Sequence, residues 1–185
     1  QAGTILPKAL KEVEFGEYPA VKQVLDVLPA NGQLHVANSM AIRYVNFLGR
    51  RTQEIFCNRG TSGIDGSNST AVGASLNSQE LVTLLTGDMA FFYDRNAFWH
   101  NYPMPNLRVI VLNNHSGGIF RLIDGPARQP ELEEFFETKQ ALNASSLASE
   151  FGFHYASVTT SEQLESALMK FYEPSLQPKI IEIIS

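Results

Sequence analysis

Two apolar runs, each followed at once by polar residues, mark residues 81–120, which read LVTLLTGDMAFFYDRNAFWHNYPMPNLRVIVLNNHSGGIF. The first run, 81–85, ends in Thr86-Gly87-Asp88, and the second, 109–112, ends in Asn113-Asn114-His115-Ser116. Short apolar runs bounded by turn-forming residues are typical of buried strands. The segment therefore predicts two strands that each place oxygen-bearing side chains at their carboxyl ends.

The polar residues after these two runs suit a hard cation. In open parallel α/β sheets, ligands bind beyond the carboxyl ends of the strands, where the strand order changes direction. Mg²⁺ takes one or two carboxylates, other oxygen ligands and the phosphates of a bound molecule. Asp88 offers a carboxylate and Asn114 a carboxamide. The pattern thus predicts a cradle for a metal-bound diphosphate.

The composition narrows the class of protein. With 185 residues, of which 44% are hydrophobic and 18% charged, the chain is long enough to bury one sizeable core. Its net charge of −5 and its scattered acidic residues argue against a nucleic-acid or membrane surface, which usually needs clustered Lys or Arg. Cys57 is the single cysteine, which excludes a disulfide framework and favours a reducing cytoplasm.

The order of strand and helix patterns predicts the fold. Residues 1–16 are polar and punctuated by proline and glycine, which indicates a leading segment or linker before one domain at 17–185. The chain begins with Gln1, and we expect it to belong to a longer enzyme. Strands are predicted at 33–37, 54–57, 81–85, 109–112, 153–158 and 179–184, and helices at 18–28, 40–48, 69–76, 145–151 and 161–172.

This alternation favours a doubly wound, mostly parallel α/β sheet of six strands with helices on both faces. Right-handed crossovers would bring Asn38, the loop 60–66, Asp88 and Asn114 to one edge of that sheet. Residues 125–134 are rich in proline and acidic side chains, and we expect a short lid-like loop there.

Asn38 and Ser39 stand at a predicted strand-to-helix junction, which is a favoured ligand position. Both residue types also cap helices, so N-capping alone is an equal alternative at this stage. Arg43 follows one turn into the predicted helix and could point back to the junction, although an isolated arginine is more often a solvated surface residue.

The loop 58–70 contains Gly60, Gly63 and Gly66 among small polar residues. Such a loop lets backbone N–H groups approach an anion, and the following helix N-terminus favours negative charge. Its glycine spacing fits neither a dinucleotide fingerprint nor a P-loop. A purely structural, turn-rich loop remains an alternative. Ile64 is apolar between polar neighbours and could buttress the ring of a ligand.

Several of these motifs together resemble one known family. Gly87-Asp88 followed by Asn113-Asn114 is similar to the metal and diphosphate motif of thiamine-diphosphate enzymes. The loop from Asn58 to Gly66, with Asn38-Ser39 and Arg43, resembles the 2-succinyl-5-enolpyruvyl-6-hydroxy-3-cyclohexene-1-carboxylate synthases of menaquinone biosynthesis. The resemblance extends from about residue 17 to the C-terminus and implies the thiamine-diphosphate-binding fold.

The resemblance also implies a set of site residues. Asp88 and Asn114 would bind Mg²⁺ (or Mn²⁺) through their side chains, and Ser116 would bind it through its backbone carbonyl. Substrate contacts would come from Ser39, Arg43, Arg59, Phe120 and Ile123. Contacts to thiamine diphosphate would come from Asn38, Ile64, Gly87, Asp88, Met89, Asn114, Gly117, Ile119 and Phe120, with Ile64 bending the cofactor.

The family reaction decarboxylates 2-oxoglutarate and adds the resulting succinyl unit to isochorismate. The glutamate that activates the cofactor is expected on the N-terminal pyrimidine-binding domain of a neighbouring subunit, within a homodimer or homotetramer. The resemblance therefore implies that this chain holds no catalytic residue and is inactive alone. Two alternatives remain: another thiamine-diphosphate enzyme, such as a relative of acetolactate synthase, and a non-catalytic assembly module.

Overall fold

The computed structural model describes residues 15–185, in which strands and helices alternate. Most of the predicted leading segment, 1–14, lies outside the described residues. The strands are β1 (Gln33–Val36), β2 (Glu54–Phe56), β3 (Val82–Gly87), β4 (Leu107–Asn113), β5 (His154–Val158) and β6 (Lys179–Ile184). The helices are α1 (Glu17–Asp26), α2 (Met40–Leu48), α3 (Ser67–Asn77), α4 (Asp88–Tyr93), α5 (Ser145–Phe151) and α6 (Ser161–Phe171).

The six strands form one parallel sheet in the order β2-β1-β3-β4-β6-β5. From β1 the chain first moves outward to β2 and then returns to build β3 and β4 on the other side of β1. The strand order therefore changes direction between β1 and β3, which is where doubly wound sheets bind ligands. The predicted doubly wound, six-stranded fold is confirmed.

The core lies on both faces of the sheet, and β4 shows why. All seven of its residues are buried. Ile110 and Leu112 pack with α1, α2 and α6 on one face, whereas Val109 and Val111 pack with α3 and α4 on the other. Alternate side chains of a strand point to opposite faces, so a strand covered on both sides needs a continuous apolar run.

Polar residues extend both central strands beyond their apolar runs. β3 continues through Thr86 and Gly87, and β4 begins at Leu107 and includes Arg108. The guanidinium of Arg108 is buried, but it donates to the carbonyls of Pro105, Phe171 and Glu173 at 2.8, 2.6 and 2.9 Å. A buried charge is tolerated when its donors are satisfied in this way.

Helix boundaries agree with the sequence patterns to within one residue except at two helices: α1 ends at Asp26 rather than at residue 28, and α3 begins at Ser67 rather than Ser69. Gly66 takes up a left-handed conformation with φ of 73°, so the turn of the glycine loop is complete two residues earlier than predicted. α5 ends at Gly152 as predicted, with φ of 71°. The predicted cap of α6 is also present, because Thr160 Oγ1 accepts from the N–H of Gln163 at 3.3 Å.

The predicted loop at 125–134 contains more regular structure than its proline content indicates. It includes a 3₁₀ turn at Pro126–Arg128 and leads into a π-helical turn at Leu132–Phe136. The Gly117 N–H donates to the Glu137 carbonyl at 2.7 Å, and the buried Glu137 carboxylate pairs with Arg121. This segment is thereby attached to the loop after β4.

None of the helices within residues 15–185 is long and apolar enough to cross a bilayer.

Candidate cofactor site

A cavity of about 600 Å³ lies at the carboxyl ends of the central strands, at the switch point of the sheet. This volume is in the range of small-molecule and cofactor sites. All residues that the resemblance assigns to cofactor, substrate or metal line it: Asn38, Ser39, Arg43, Arg59, Ile64, Gly87, Asp88, Met89, Asn114, Ser116, Gly117, Ile119, Phe120 and Ile123. The structure thus brings the predicted residues together, while their individual roles in binding stay predictions.

Asp88 begins α4 directly after β3, and only 3% of its surface is exposed. Its carboxylate accepts from the Met89 N–H at 2.7 Å and from the Gln140 side-chain amide at 2.9 Å. Burial raises the pKa of Asp88 above its ordinary value, although these hydrogen bonds act in the opposite direction. These two neutral donors hold the Asp88 carboxylate in one orientation, and a carboxylate is a ligand that hard cations such as Mg²⁺ prefer.

The loop after β4 is shaped by two asparagine side chains. Asn113 Oδ1 accepts from the His115 N–H at 3.0 Å, and Asn114 Oδ1 accepts from the Ser116 N–H at 2.9 Å. Between them, His115 adopts a left-handed conformation with φ of 60°. Consecutive side-chain turns of this kind reverse the chain tightly. They place Asn114 and Ser116 beside Asp88, since Gly87 and Leu112 are partners in the sheet.

This set of groups fits the predicted metal. Asp88, Asn114 and Ser116 all line one cavity, and a carboxylate, a carboxamide and a main-chain carbonyl are oxygen donors that suit Mg²⁺ or Mn²⁺. Within residues 15–185 no cluster of three His, Cys, Asp or Glu residues could bind a metal by itself. The remaining ligands of a cation here would therefore come from a bound molecule, as they do in metal-diphosphate sites.

Gly117 allows two segments to approach closely at the rim of the cavity. A Cβ atom at this position would lie 3.2 Å from the Phe136 carbonyl oxygen and 3.3 Å from that of Glu137. A larger residue would push the loop after β4 away from the 132–137 turn. The glycine thereby keeps Phe120, which packs on Phe136 with 5.6 Å between ring centroids, against the cavity wall.

Asn38 holds the glycine loop in place. Its side-chain amide donates to the carbonyls of Asn58 and Gly63 at 2.8 and 2.6 Å, and its Oδ1 accepts from Arg59 at 3.0 Å. No side chain caps the start of α2. The alternative that Asn38 and Ser39 serve only as N-caps is therefore wrong. Asn38 instead fixes the loop that carries Arg59 and Ile64 into the cavity.

The two predicted substrate arginines lie on the same side of the cavity. Arg43 points back to the junction before α2, where its guanidinium donates to the Ser39 carbonyl at 2.8 Å. Arg59 is oriented by Asn38. Each guanidinium has further donors for an anion, because arginine carries five N–H groups. The cavity thus combines a cation cradle with two positively charged groups.

Backbone strain concentrates around the cavity. Among the described residues, the non-glycine residues with positive φ are Ser39, Ser62, His115 and Thr138. Three of them line the cavity and His115 lies in the loop between Asn114 and Ser116. Such conformations are unfavourable and cluster at functional sites, where the surrounding structure enforces them.

Sequence patterns missed two polar side chains that hold the predicted metal ligands. Gln140 donates to Asp88, and Glu17 at the start of α1 accepts from the Asn114 side-chain amide at 3.0 Å. Both contacts join residues far apart in the chain. Glu17 carries only the ordinary signal of an acidic residue in the first turn of a helix. No local pattern could have identified either residue.

Comparison with protein families identifies the fold that builds this cavity. Residues 37–183 match the model of the thiamine pyrophosphate enzyme, C-terminal TPP binding domain. The chain belongs to this family. The matched range contains every predicted site residue, and the thiamine pyrophosphate domain accounts for a diphosphate cradle at the switch point.

Curated relatives of this thiamine pyrophosphate domain share one name. A 2-succinyl-5-enolpyruvyl-6-hydroxy-3-cyclohexene-1-carboxylate synthase from Cytophaga hutchinsonii is 57% identical over 94% of this chain and 31% of its own length. Synthases of the same name from Christiangramia forsetii and Bacteroides fragilis are 42% and 40% identical, over 95% and 94% of this chain and 31% and 32% of their own lengths. The chain thus spans about a third of the length of these relatives.

A solved structure supports the fold of the thiamine pyrophosphate domain. A Mycobacterium smegmatis protein, described as a candidate thiamin diphosphate-dependent enzyme, superimposes with a TM-score of 0.70. The match covers 93% of this chain and 32% of that protein, with 20% identity. At this level of identity the likeness establishes the fold alone.

Proposed function

We propose that the chain is the C-terminal, cofactor-binding domain of a thiamine-diphosphate-dependent synthase of menaquinone biosynthesis. The reaction removes carbon dioxide from 2-oxoglutarate and adds the succinyl unit to isochorismate. The main support for this proposal is that the predicted metal ligands Asp88, Asn114 and Ser116 line the same cavity as Arg43 and Arg59. The shared name of relatives up to 57% identical supports it.

In this proposal Asp88, Asn114 and the Ser116 carbonyl bind Mg²⁺ or Mn²⁺, which neutralises the two phosphates of the cofactor. Thiamine diphosphate, when bound, supplies the electron sink that lets the carboxylate of a 2-oxo acid leave as carbon dioxide. Gly87, Met89 and Gly117 line the diphosphate end. Asn38, Ile64, Ile119 and Phe120 would contact its rings, and Ile64 would support a bent cofactor.

Both substrates carry two carboxylates, which explains the need for two arginines in an acidic chain. Arg43 and Arg59 bind these carboxylates with charge-assisted hydrogen bonds. Ser39 adds a hydroxyl beside Arg43, and Phe120 and Ile123 cover the apolar side. Because the cavity is partly enclosed by apolar side chains, these ionic contacts are stronger than they would be in water.

Other parts of the site belong outside this chain. The activating glutamate is supplied by the N-terminal pyrimidine-binding domain of a neighbouring subunit, so the enzyme is a homodimer or homotetramer. Residues 17–185 form the diphosphate-binding domain and residues 1–16 the linker that precedes it. The single, unpaired Cys57 supports a cytoplasmic location.

The choice of 2-oxo acid tests this function. We expect the full-length protein, with Mg²⁺ and thiamine diphosphate, to consume 2-oxoglutarate together with isochorismate and to leave pyruvate unused. The physical reason is that pyruvate lacks the second carboxylate that an arginine would bind. Product is measured by mass spectrometry.

The same assay on residues 1–185 alone serves as the control, and we expect no turnover because the activating glutamate is absent. Preference of the full-length protein for pyruvate would instead support an acetolactate synthase-like enzyme. Turnover by residues 1–185 at the rate of the full-length protein would contradict the division of the site between domains.

A further inference from the structure

Glu17 is a carboxylate in the cavity that the proposed reaction does not use. It is the first residue of α1, it is half-buried, and it lines the same cavity as Asp88. One carboxylate oxygen accepts from the Tyr44 hydroxyl at 2.7 Å, and the other accepts from the Asn114 side-chain amide at 3.0 Å. Burial raises the pKa of Glu17 above its ordinary value, and the charge of Asp88 acts in the same direction.

These contacts determine which way the Asn114 carboxamide faces. A carboxylate only accepts hydrogen bonds, so the NH₂ group of Asn114 must point to Glu17. Its Oδ1 must then point to the loop after β4, where it accepts from the Ser116 N–H at 2.9 Å. A backbone N–H only donates, so both ends of the carboxamide require the same orientation. The orientation of this oxygen is therefore fixed from both ends, in a residue that lines the same cavity as Asp88.

Tyr44 holds Glu17 in turn. Its hydroxyl occupies the carboxylate oxygen that faces away from Asn114, and its ring packs edge-on against Tyr18, with 5.8 Å between centroids. α1 and α2 thus fix the position of one carboxylate relative to the loop after β4.

We propose that Glu17 is a positioning residue of the metal site, which orients the Asn114 carboxamide oxygen toward the cation. This inference rests on the proposed function, because it assumes a divalent cation at Asp88 and Asn114. Groups that orient metal ligands commonly change metal affinity about 10–100-fold when they are removed. Glu17 is expected to act through affinity for the metal and not through the chemical step.

Manganese binding tests this role directly. Free Mn²⁺ is measured by electron paramagnetic resonance during titration of the full-length protein at saturating thiamine diphosphate. We expect Glu17→Ala to weaken Mn²⁺ binding about 10–100-fold. Glu17→Gln should weaken it less, because its carbonyl oxygen can still accept from Asn114. Tyr44→Phe should have the smallest effect, because Glu17 keeps its bond to Asn114.

Turnover measured at saturating Mn²⁺ shows whether Glu17 positions a metal ligand or only stabilises the fold. Turnover of Glu17→Ala should return close to that of the wild type when Mn²⁺ is raised above the new Kd. The control is Glu165→Gln, which removes an exposed helical carboxylate far from the cavity and should leave Mn²⁺ affinity unchanged.

Wild-type Mn²⁺ affinity in Glu17→Ala would overturn the inference. So would a loss of turnover that saturating Mn²⁺ does not restore and that accompanies a lower Tm. Absence of Mn²⁺ binding in the wild type at saturating thiamine diphosphate is a separate result, which would contradict the proposed function itself.

Discussion

Asp88→Ala is expected to abolish metal-dependent binding of thiamine diphosphate to the full-length protein and to lower turnover about 10³-fold or more. Asp88 is the carboxylate among the three predicted ligands, and it is nearly fully buried at the end of β3. Its loss leaves two neutral oxygens, which cannot balance a divalent cation beside a diphosphate. The measurement is isothermal titration with thiamine diphosphate at fixed Mg²⁺, combined with steady-state turnover.

Asp88→Asn separates metal binding from folding. The variant keeps the shape of the side chain but removes the buried charge, whose burial already raises the pKa of Asp88. We expect the metal-free Asn variant to have a Tm no lower than that of the wild type, although it loses metal binding. Asp124→Ala removes an exposed carboxylate and is the control. Normal cofactor titration in Asp88→Ala would contradict the assignment of this residue.

Glu182→Ala is expected to lower the free energy of unfolding of the domain by about 3–5 kcal/mol. Glu182 lies on β6, is completely buried, and accepts from Asn113, the Ala144 N–H and the Tyr155 hydroxyl at 2.7, 3.0 and 2.6 Å. Alanine leaves these buried donors without an acceptor. Urea unfolding of residues 1–185, followed by circular dichroism, measures the change.

Two further variants test whether the loss of stability comes from the hydrogen bonds of Glu182. Glu182→Gln should cost less, because its carbonyl oxygen can accept from Asn113 and Ala144 while its amide donates to the Tyr155 oxygen. Glu165→Ala on the exposed face of α6 should change stability by less than about 0.5 kcal/mol. A loss below about 1 kcal/mol in Glu182→Ala would show that the buried donors find other partners.

A chain of hydrogen bonds connects Glu182 to the cavity. Asn113 accepts from the Gln140 amide at 3.2 Å, and that same amide donates to Asp88. Glu182 also holds the Ala144 N–H, which follows the segment that carries Gln140. We therefore attribute the position of Asp88 in part to a buried carboxylate on β6.

Much of the fold follows from local patterns because those patterns have local physical causes. The apolar run of β4 reflects burial on both faces, Gly152 ends α5 with positive φ, and Thr160 caps α6. Asp88 and Asn114 lie close together because β3 and β4 pair in parallel, which places the residues after both strands at the same edge of the sheet. Each of these features depends on neighbouring residues or on the rules of βαβ connection, so the sequence alone predicts them.

Other features depend on contacts that no local pattern records. Glu17 meets Asn114 only after α1 packs beside β4, and Arg108 is buried only because the end of α6 brings carbonyls to it. The positive φ of Ser39 is imposed by the surrounding structure on a residue type that rarely adopts it. Such positions require the tertiary structure, and they lie mostly around the cavity.

The position of the bound metal shows whether Asp88, Asn114 and Ser116 form the cation site. A crystal of the full-length protein with thiamine diphosphate and Mn²⁺ would show the cation by its anomalous scattering. We expect one peak about 2.0–2.3 Å from the side-chain oxygens of Asp88 and Asn114 and from the Ser116 carbonyl oxygen, in contact with both phosphates. A peak bound by other residues, or a diphosphate held without any cation at this position, would contradict it.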